Sequence, residues 1–216
     1  MTKSGTFVPT PETDRLFSGL NRSTRTFVAI DGSNLDGAEG DLGFKIDYAL
    51  LREMLEHYLD VASSNYFTAK PQEKERNAPG VASFHDFLDF NGYRVHYKPI
   101  SLMDEDRRAV TNKTNVDVDL AVETMRSIYS DRSIGQLLLF SGDGDFISLI
   151  RAVRPMVRCA VVSTEKTQRP HLSRNLKKAA DVVVELADIA PYIQRGYRTP
   201  KPITVPAGGI SDATTP

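Results

Sequence analysis

The chain has 216 residues, of which 40% are hydrophobic and 25% are charged, and this is the composition of an ordinary globular protein. Its single cysteine, Cys159, excludes an intrachain disulfide framework and a zinc site built on several cysteines. The formal net charge of -1 gives no overall attraction towards nucleic acid, so any basic surface has to come from local clustering.

The two ends of the chain differ from its middle. Residues 1–24 and 196–216 are rich in Thr, Ser, Pro and Gly, and they carry too little apolar surface to offset the entropy of ordering. We expect two tails around one domain at residues 25–195. No stretch has the length of a signal-peptide core or of a membrane span, which predicts a cytoplasmic protein without membrane contact.

Short apolar runs alternate with segments of helical spacing along the middle of the chain. Strands are predicted at 26–31, 64–69, 93–98, 136–140, 158–162 and 182–185. Helices are predicted at 46–57, 81–90, 116–129, 146–153 and 172–179. Strict alternation of this kind predicts an α/β fold with three α/β/α layers and a mainly parallel central sheet of five to six strands.

Aspartates follow the predicted strands at the edge where such sheets bind ligands. Asp31 ends the first strand, Asp143 and Asp145 follow the fourth, and Asp117 and Asp119 open the helix before the fourth. If the first and fourth strands are neighbours, three segments bring carboxylates to one edge. Clustered carboxylates repel one another unless a cation lies among them, and Mg²⁺ or Mn²⁺ suits oxygen ligands. Because Asp117 and Asp119 point about 200° apart on a helix, we expect Asp119 to be the solvated one.

Each of these acids also has a purely structural interpretation. Asp143 is a good N-cap for the following helix, and Thr114 and Asp117 resemble a capping box with Asp in place of the usual Glu or Gln. Asp31 is a common turn residue that bonds its own loop. Three acids at the same predicted edge favour a site over three unrelated caps.

Basic residues are concentrated in the second half of the chain. Residues 149–180 contain eight Lys and Arg against one acid, Glu165, which gives a local charge of +7. A solvated helix face is the alternative to phosphate contact. The members nearest the predicted ligand edge are Arg169, His171 and Arg174. The loop after the third strand adds Arg107, Arg108 and Lys113, although three neighbouring acids offset their charge.

Three motifs in this order resemble one known family. They are Asp31-Gly-Ser-Asn34, Lys113-x-x-Val-Asp117-Val and Ser141-Gly-Asp143-Gly-Asp145-Phe146. Together they resemble the NYN domain family of PIN-like ribonucleases, which includes the LabA-like (DUF88) proteins. The resemblance covers about residues 26–190 and implies a PIN-like α/β/α fold.

The resemblance also implies a function, namely Mg²⁺- or Mn²⁺-dependent cleavage of RNA phosphodiester bonds. The metal-holding and catalytic set that it implies is Asp31, Asp117, Asp143 and Asp145. The candidate substrate-binding residues are Asn34, Ser141, Lys113, Arg107, Arg108, Arg169, His171 and Arg174. Single-stranded RNA is the expected partner. A homodimer is compatible with the resemblance, since many PIN-like domains pair, but no interface is readable in the sequence.

Two other functions remain open at this stage. The domain fits a regulatory module of weak or no activity that binds RNA or a protein partner, because proteins resembling LabA are associated with regulation. A phosphohydrolase acting on a small metabolite would use the same acids. The first strand lacks the Asp-x-Asp pair of aspartyl-phosphate phosphatases, so this last function ranks below the others.

Overall fold

The computed structural model describes residues 6–71, 78–100 and 116–196, and its centre is one parallel sheet of six strands. The strands are β1 (Arg25–Asp31), β2 (Asp60–Pro71), β3 (Tyr93–Ile100), β4 (Ile134–Phe140), β5 (Arg158–Ser163) and β6 (Val182–Glu185). Their order across the sheet is β3-β2-β1-β4-β5-β6, and every neighbouring pair is parallel. The chain therefore changes its direction of winding between β1 and β4, which is where open α/β sheets bind ligands.

Helices cover both faces of this sheet. They are α1 (Pro11–Phe17), α2 (Gly32–Leu42), α3 (Tyr48–Tyr58), α4 (Ala78–Phe90), α5 (Val116–Ser130), α6 (Ile147–Val153), α7 (Arg174–Ala179) and α8 (Leu186–Ile193). A single 3-10 turn, Gly144–Phe146, joins β4 to α6. Within the described ranges, no helix has the length and apolar character that crossing a bilayer requires.

The central strands are buried on both sides. Val28 and Ile30 of β1 pack with α1, α2, α3 and α8, whereas Phe27 and Ala29 point to the other face and pack with α5, α6 and α7. Successive side chains of a strand alternate between faces, so covering both faces requires a continuous apolar run. The three-layer α/β/α architecture and the pairing of β1 with β4 are confirmed.

The segment before β1 differs from the expected tail. Thr10 caps α1, and its hydroxyl and that of Thr13 each accept a backbone N–H of the other residue. Phe7, Phe17 and Leu20 are buried in the core, and Phe17 stacks on Tyr58 with ring centroids 4.6 Å apart. The expectation of a tail over residues 1–24 is wrong for residues 6–24, because a few well-spaced apolar side chains suffice to dock a short helix. The expected second tail, after Gly196, lies outside the described residues.

Besides α1, helices α2 and α8 were not predicted, and a carboxylate side chain caps the start of each. Helix α2 contains three glycines and few apolar side chains, but the Asp31 side chain caps its start. Gly43, with φ of 74°, ends it in the left-handed conformation that glycine adopts without strain. Helix α8 follows β6 directly and is capped by the Glu185 carboxylate.

Candidate functional site

The carboxyl ends of β1 and β4 lie side by side. Ile30 pairs with Phe140 in the parallel ladder, so Asp31 and Ser141 are the next residues on the two neighbouring strands. Helix α5 packs against β1, β2 and the 3-10 turn. The topology therefore brings together the three segments on which the sequence places acids.

Asp31 is buried, with 3% of its surface exposed, and each of its carboxylate oxygens accepts hydrogen bonds from neutral groups. Oδ1 accepts from the Ser33 hydroxyl at 2.9 Å and from the backbone N–H of Asn34 at 3.2 Å. Oδ2 accepts from the Ser141 hydroxyl at 3.0 Å. No Lys or Arg within the described ranges forms an ion pair with this carboxylate. Asp31 thus caps α2, as one interpretation of the sequence has it, and also bonds across to the end of β4.

Ser141 and Asn34 connect the two acidic segments. The Ser141 oxygen accepts the backbone N–H of Asp143 at 3.1 Å, so the serine links Asp31 to that residue's backbone. Asn34 Oδ1 accepts the backbone N–H of Gly142 at 2.9 Å and fixes α2 against the same turn. Both residues were predicted as substrate contacts. Here their polar side chains hold the framework of the site.

Asp143 and Asp145 lie on the turn after β4. Asp143 is partly exposed, and its Oδ1 accepts the backbone N–H of Asp145 at 2.9 Å, which makes it the N-cap of the 3-10 turn. Its other oxygen has no hydrogen-bond partner among the described residues. The Asp145 side chain is exposed to solvent. The capping interpretation of Asp143 therefore accounts for one of its two oxygens.

Asp117 lies in the first turn of α5, whose buried residues are Leu120, Thr124 and Ile128. It precedes Leu120 by three positions and Thr124 by seven, so it shares their face of the helix. Asp119 lies on a different face. It lines a shallow cleft with His96 and Tyr97 of edge strand β3, so it is partly buried rather than solvated as expected.

The acids do not form a ready-made metal cage. In the part of the chain that the structure describes, no three His, Cys, Asp or Glu side chains lie close enough together to hold a metal ion. One reason is visible in the turn after β4, where an oxygen of Asp143 accepts the backbone N–H of Asp145. Coordination by Asp143 through that oxygen has to compete with this cap.

Gly142 is required by the packing of the β5–α7 loop. A Cβ atom at this position would lie 2.1 Å from the backbone oxygen of His171 and 2.4 Å from the Ser163 hydroxyl. The backbone N–H of Ser173 donates to the Gly142 oxygen at 2.8 Å. The loop therefore lies directly against the turn after β4 that carries Asp143 and Asp145, here called the acidic turn. A larger residue at Gly142 would push the loop and the turn apart.

The predicted basic contacts divide into three groups. His171 is committed to α2, because its Nε2 lies 2.8 Å from the Asp41 carboxylate. Arg169 and Arg174 are exposed, on the loop and at the start of α7, and neither forms an ion pair within the described ranges. The remaining three, Arg107, Arg108 and Lys113, lie outside the described residues.

Tyr66 of β2 was interpreted as a core residue, and its ring is indeed buried. Its hydroxyl, however, reaches the first turn of α2, because a Cβ at Gly32 would lie 2.6 Å from it. Burial is the main cause that raises the pKa of this phenol, with the Asp36 and Asp31 carboxylates among the other causes. The glycine directly after Asp31 was the available signal, since it shows that another group approaches the backbone there.

Known proteins resemble this chain in sequence and in fold. The model of the NYN domain family matches residues 25–187. The low amplitude and bright protein LabA of Synechococcus elongatus is 25% identical over 191 residues, covering 84% of this chain and 93% of that protein. A solved structure of a Vibrio parahaemolyticus protein of unknown function has a TM-score of 0.58 at 19% identity, covering 77% of this chain and 95% of that one. The α/β fold is consistent with a PIN-like domain, and the extent of the family match shows that this chain belongs to the NYN domain family.

Proposed function

We propose that this protein is a metal-dependent ribonuclease that hydrolyses RNA phosphodiester bonds at the edge formed by β1, β4 and α5. The observation that carries the proposal is the state of Asp31, a buried carboxylate whose hydrogen-bond donors among the described residues are all neutral. A buried charge without a counterion is costly, so the site favours a cation from outside the chain. Membership of a nuclease-like superfamily supports the same conclusion.

The donor set fits Mg²⁺ or Mn²⁺, because the candidate ligands are carboxylate oxygens. Asp31 and Asp143 would be the principal ligands, and Asp117 and Asp145 would complete the set directly or through water. A bound ion supplies a water of lowered pKa and neutralises charge on the scissile phosphate.

The chain's own residues orient the ligands and the substrate. The Ser141 hydroxyl fixes the direction of the Asp31 carboxylate, and Asn34 holds the backbone of Gly142. Arg169 and Arg174 offer positive charge to the RNA backbone beyond β5. One carboxylate of the set accepts the proton of the attacking water.

The test is a cleavage assay on the purified full chain. Labelled single-stranded RNA and DNA of the same sequence are incubated with Mn²⁺, Mg²⁺ or EDTA, with the wild type beside Asp143→Asn. We expect RNA cleavage that requires the metal and is lost in the variant, because an amide is a poor ligand for a hard cation. Metal-dependent cleavage at the wild-type rate in Asp143→Asn would overturn the proposal.

Helix α5 offers a matched pair of variants for the same assay. Asp117→Asn and Asp119→Asn remove the same charge two residues apart, but only Asp117 shares the face of Leu120 and Thr124. We expect Asp117→Asn to lose cleavage and Asp119→Asn to retain it. Equal loss in both would mean that the helix contributes charge rather than a ligand.

A regulatory module that binds RNA without cutting it is the second candidate. The observation that favours it is the lack of three metal-binding side chains close together among the described residues. RNA binding that is unchanged by EDTA, with no cleavage under any metal, would favour this module over the nuclease.

A further inference from the structure

An open cleft lies between α6 and α7, outside the acidic edge described above. Its volume is ≈ 550 Å³, which is within the usual range for ligand-binding clefts in proteins. The lining consists of Ile147, Arg151, Arg154, Asn175, Lys178 and Ala179. Among the described residues, this lining has three cationic side chains and no carboxylate.

The helical repeat explains why these charges converge. Arg151 and Arg154 follow Ile147 by four and seven positions, so all three lie on one face of α6. On α7, Lys178 follows Asn175 by three positions and shares its face. The two faces line the same cleft and direct their cations into it.

The cations of this segment differ in their pairing. Lys166 and Lys177, which do not line the cleft, form ion pairs with Asp188 and Glu165. Arg151 and Lys178, which do line it, form no ion pair within the described ranges. Arg151 and Lys178 therefore leave positive charge uncompensated inside the cleft, where an anionic partner would be favoured.

Arg154 differs from the other two cations because it is anchored. Its guanidinium donates to Asp181 Oδ1 from Nε at 2.9 Å, and a terminal nitrogen lies 2.7 Å from the same oxygen. Arg154 therefore keeps a fixed position at the end of the cleft that is farther from Asp143 and Asp145.

The other end of the cleft meets the acidic turn. Helix α6 follows that turn directly, and a Cβ at Gly144 would lie 3.0 Å from the Ser173 hydroxyl, one residue before α7. From Ile147 to Arg154 the helix rises about 10 Å. The cleft thus begins at Ile147, the first residue after the 3-10 turn, and runs along α6 past two uncompensated cations.

We propose that this cleft binds the sugar–phosphate backbone of the RNA strand on one side of the bond that is cut. The inference rests on the proposed function, because it takes this RNA to be the substrate of the Asp31 and Asp143 carboxylates. Arg151 and Lys178 contact successive phosphates. Contacts of this kind hold the strand without reading its sequence, and they weaken as salt displaces them.

The test measures RNA binding separately from cleavage. Single-stranded RNA carrying a fluorescent label is titrated with Asp143→Asn protein in EDTA, and the Kd is recorded by anisotropy at several salt concentrations. Arg151→Gln with Lys178→Gln removes the two uncompensated cations, and Lys166→Gln with Lys177→Gln is the matched control. Arg151→Lys with Lys178→Arg keeps the charge and should restore binding.

We expect the cleft variant to bind roughly tenfold more weakly and the slope of log K against log salt to fall by about 1.4, for two contacts on a single strand. The control should keep the parent slope. An unchanged Kd and slope in the cleft variant would overturn the inference. So would a failure of all the proteins to bind RNA, or a control variant whose binding is weakened as much as that of the cleft variant.

The same proteins without Asp143→Asn distinguish this inference from the proposed function. If the wild type cleaves RNA with metal and the cleft variant binds RNA as the parent does, the proposed nuclease function is supported and the role of the cleft is refuted. If the cleft variant loses RNA binding and the wild type does not cleave RNA, the cleft is supported as an RNA-binding surface and the proposed nuclease function is refuted.

Discussion

Two aspartates at opposite edges of the sheet are stabilised in contrasting ways. Asp181 precedes β6 at the amino-terminal edge, where it accepts the backbone N–H of Cys159 at 2.9 Å and is paired with the guanidinium of Arg154. Although burial alone would raise the pKa of Asp181, these two groups lower it. Asp31, at the carboxyl edge, is more deeply buried, and its donors among the described residues are all neutral.

The contrast separates an acid that serves the fold from one to which the proposed function assigns a ligand. Asp181 has a cation within its own chain and fastens the start of β5 to the start of β6. Both oxygens of Asp31 accept hydrogen bonds, but no Lys or Arg of the described residues pairs with it, which favours a cation from solution. A burial value alone would not reveal this difference, because it depends on the charge of each partner.

The largest expected effect is on activity at Asp31. Asp31→Asn keeps an oxygen that can cap α2 but removes the charge, so RNA cleavage should fall about 100-fold or more, as for other single electrostatic groups. The free energy of unfolding, measured by urea denaturation, should stay the same or rise, because a buried charge is removed. A large loss of stability with cleavage intact would reverse the roles assigned to the two aspartates.

Gly142→Ala should affect both stability and activity. The new Cβ would meet the His171 backbone oxygen, so the loop or the turn has to shift, at a cost of about 1–3 kcal/mol. Cleavage should fall with it, since the acidic turn moves away from Asp31. Gly40→Ala is the control, because a Cβ there meets no atom within 4 Å. A Gly142→Ala variant as stable and active as the wild type would show that the loop yields without strain.

Asp181→Asn should change stability without changing cleavage. The amide keeps an acceptor for Cys159 but loses the charge that pairs with Arg154, and the pair is partly exposed, so we expect a loss of about 1 kcal/mol in urea denaturation. Cleavage at saturating RNA should equal that of the wild type. A loss of cleavage at unchanged stability would mean that the amino-terminal edge of the sheet takes part in the reaction.

The smallest effect is a pH dependence that belongs to Asp181. Its pKa is lower in the folded chain than the ordinary value of 3.8, so its contribution to stability is present above 3.8 and is lost as the pH falls through the folded pKa. In acid titrations of unfolding, wild type and Asp181→Asn should therefore converge below 3.8. A gap that persists at lower pH would assign the effect of the variant to packing.

The sheet and the edge on which Asp31 lies were predictable from the sequence because they follow from topology. Apolar runs predicted the strands, alternation with helices predicted the parallel sheet, and the strand ends placed Asp31 and Asp143 on one edge. Helix α2 was not predicted, since its stability comes from the Asp31 cap, the Gly43 conformation and contacts with the sheet rather than from an apolar stripe.

The roles of single side chains were harder to predict than their positions. His171 was assigned to substrate, but its imidazole is bonded to Asp41, which lies 130 residues away and carries no sequence signal of that contact. Asn34 and Ser141 were assigned to substrate too, and the structure adds a bond from each to the other acidic segment that the sequence did not predict. Hydrogen bonds between distant segments depend on how the fold places both partners in space, which residue spacing does not encode.

The links between the two acidic segments also determine when the site exists. Asp31 and Ser141 are separated by 110 residues, and Asn34 and Gly142 by 108. During synthesis from the amino terminus, Asp31 leaves the ribosome long before the strand that completes its surroundings. A nascent or truncated chain that ends before β4 holds half of the site, so any activity at this edge begins only once most of the domain has been made.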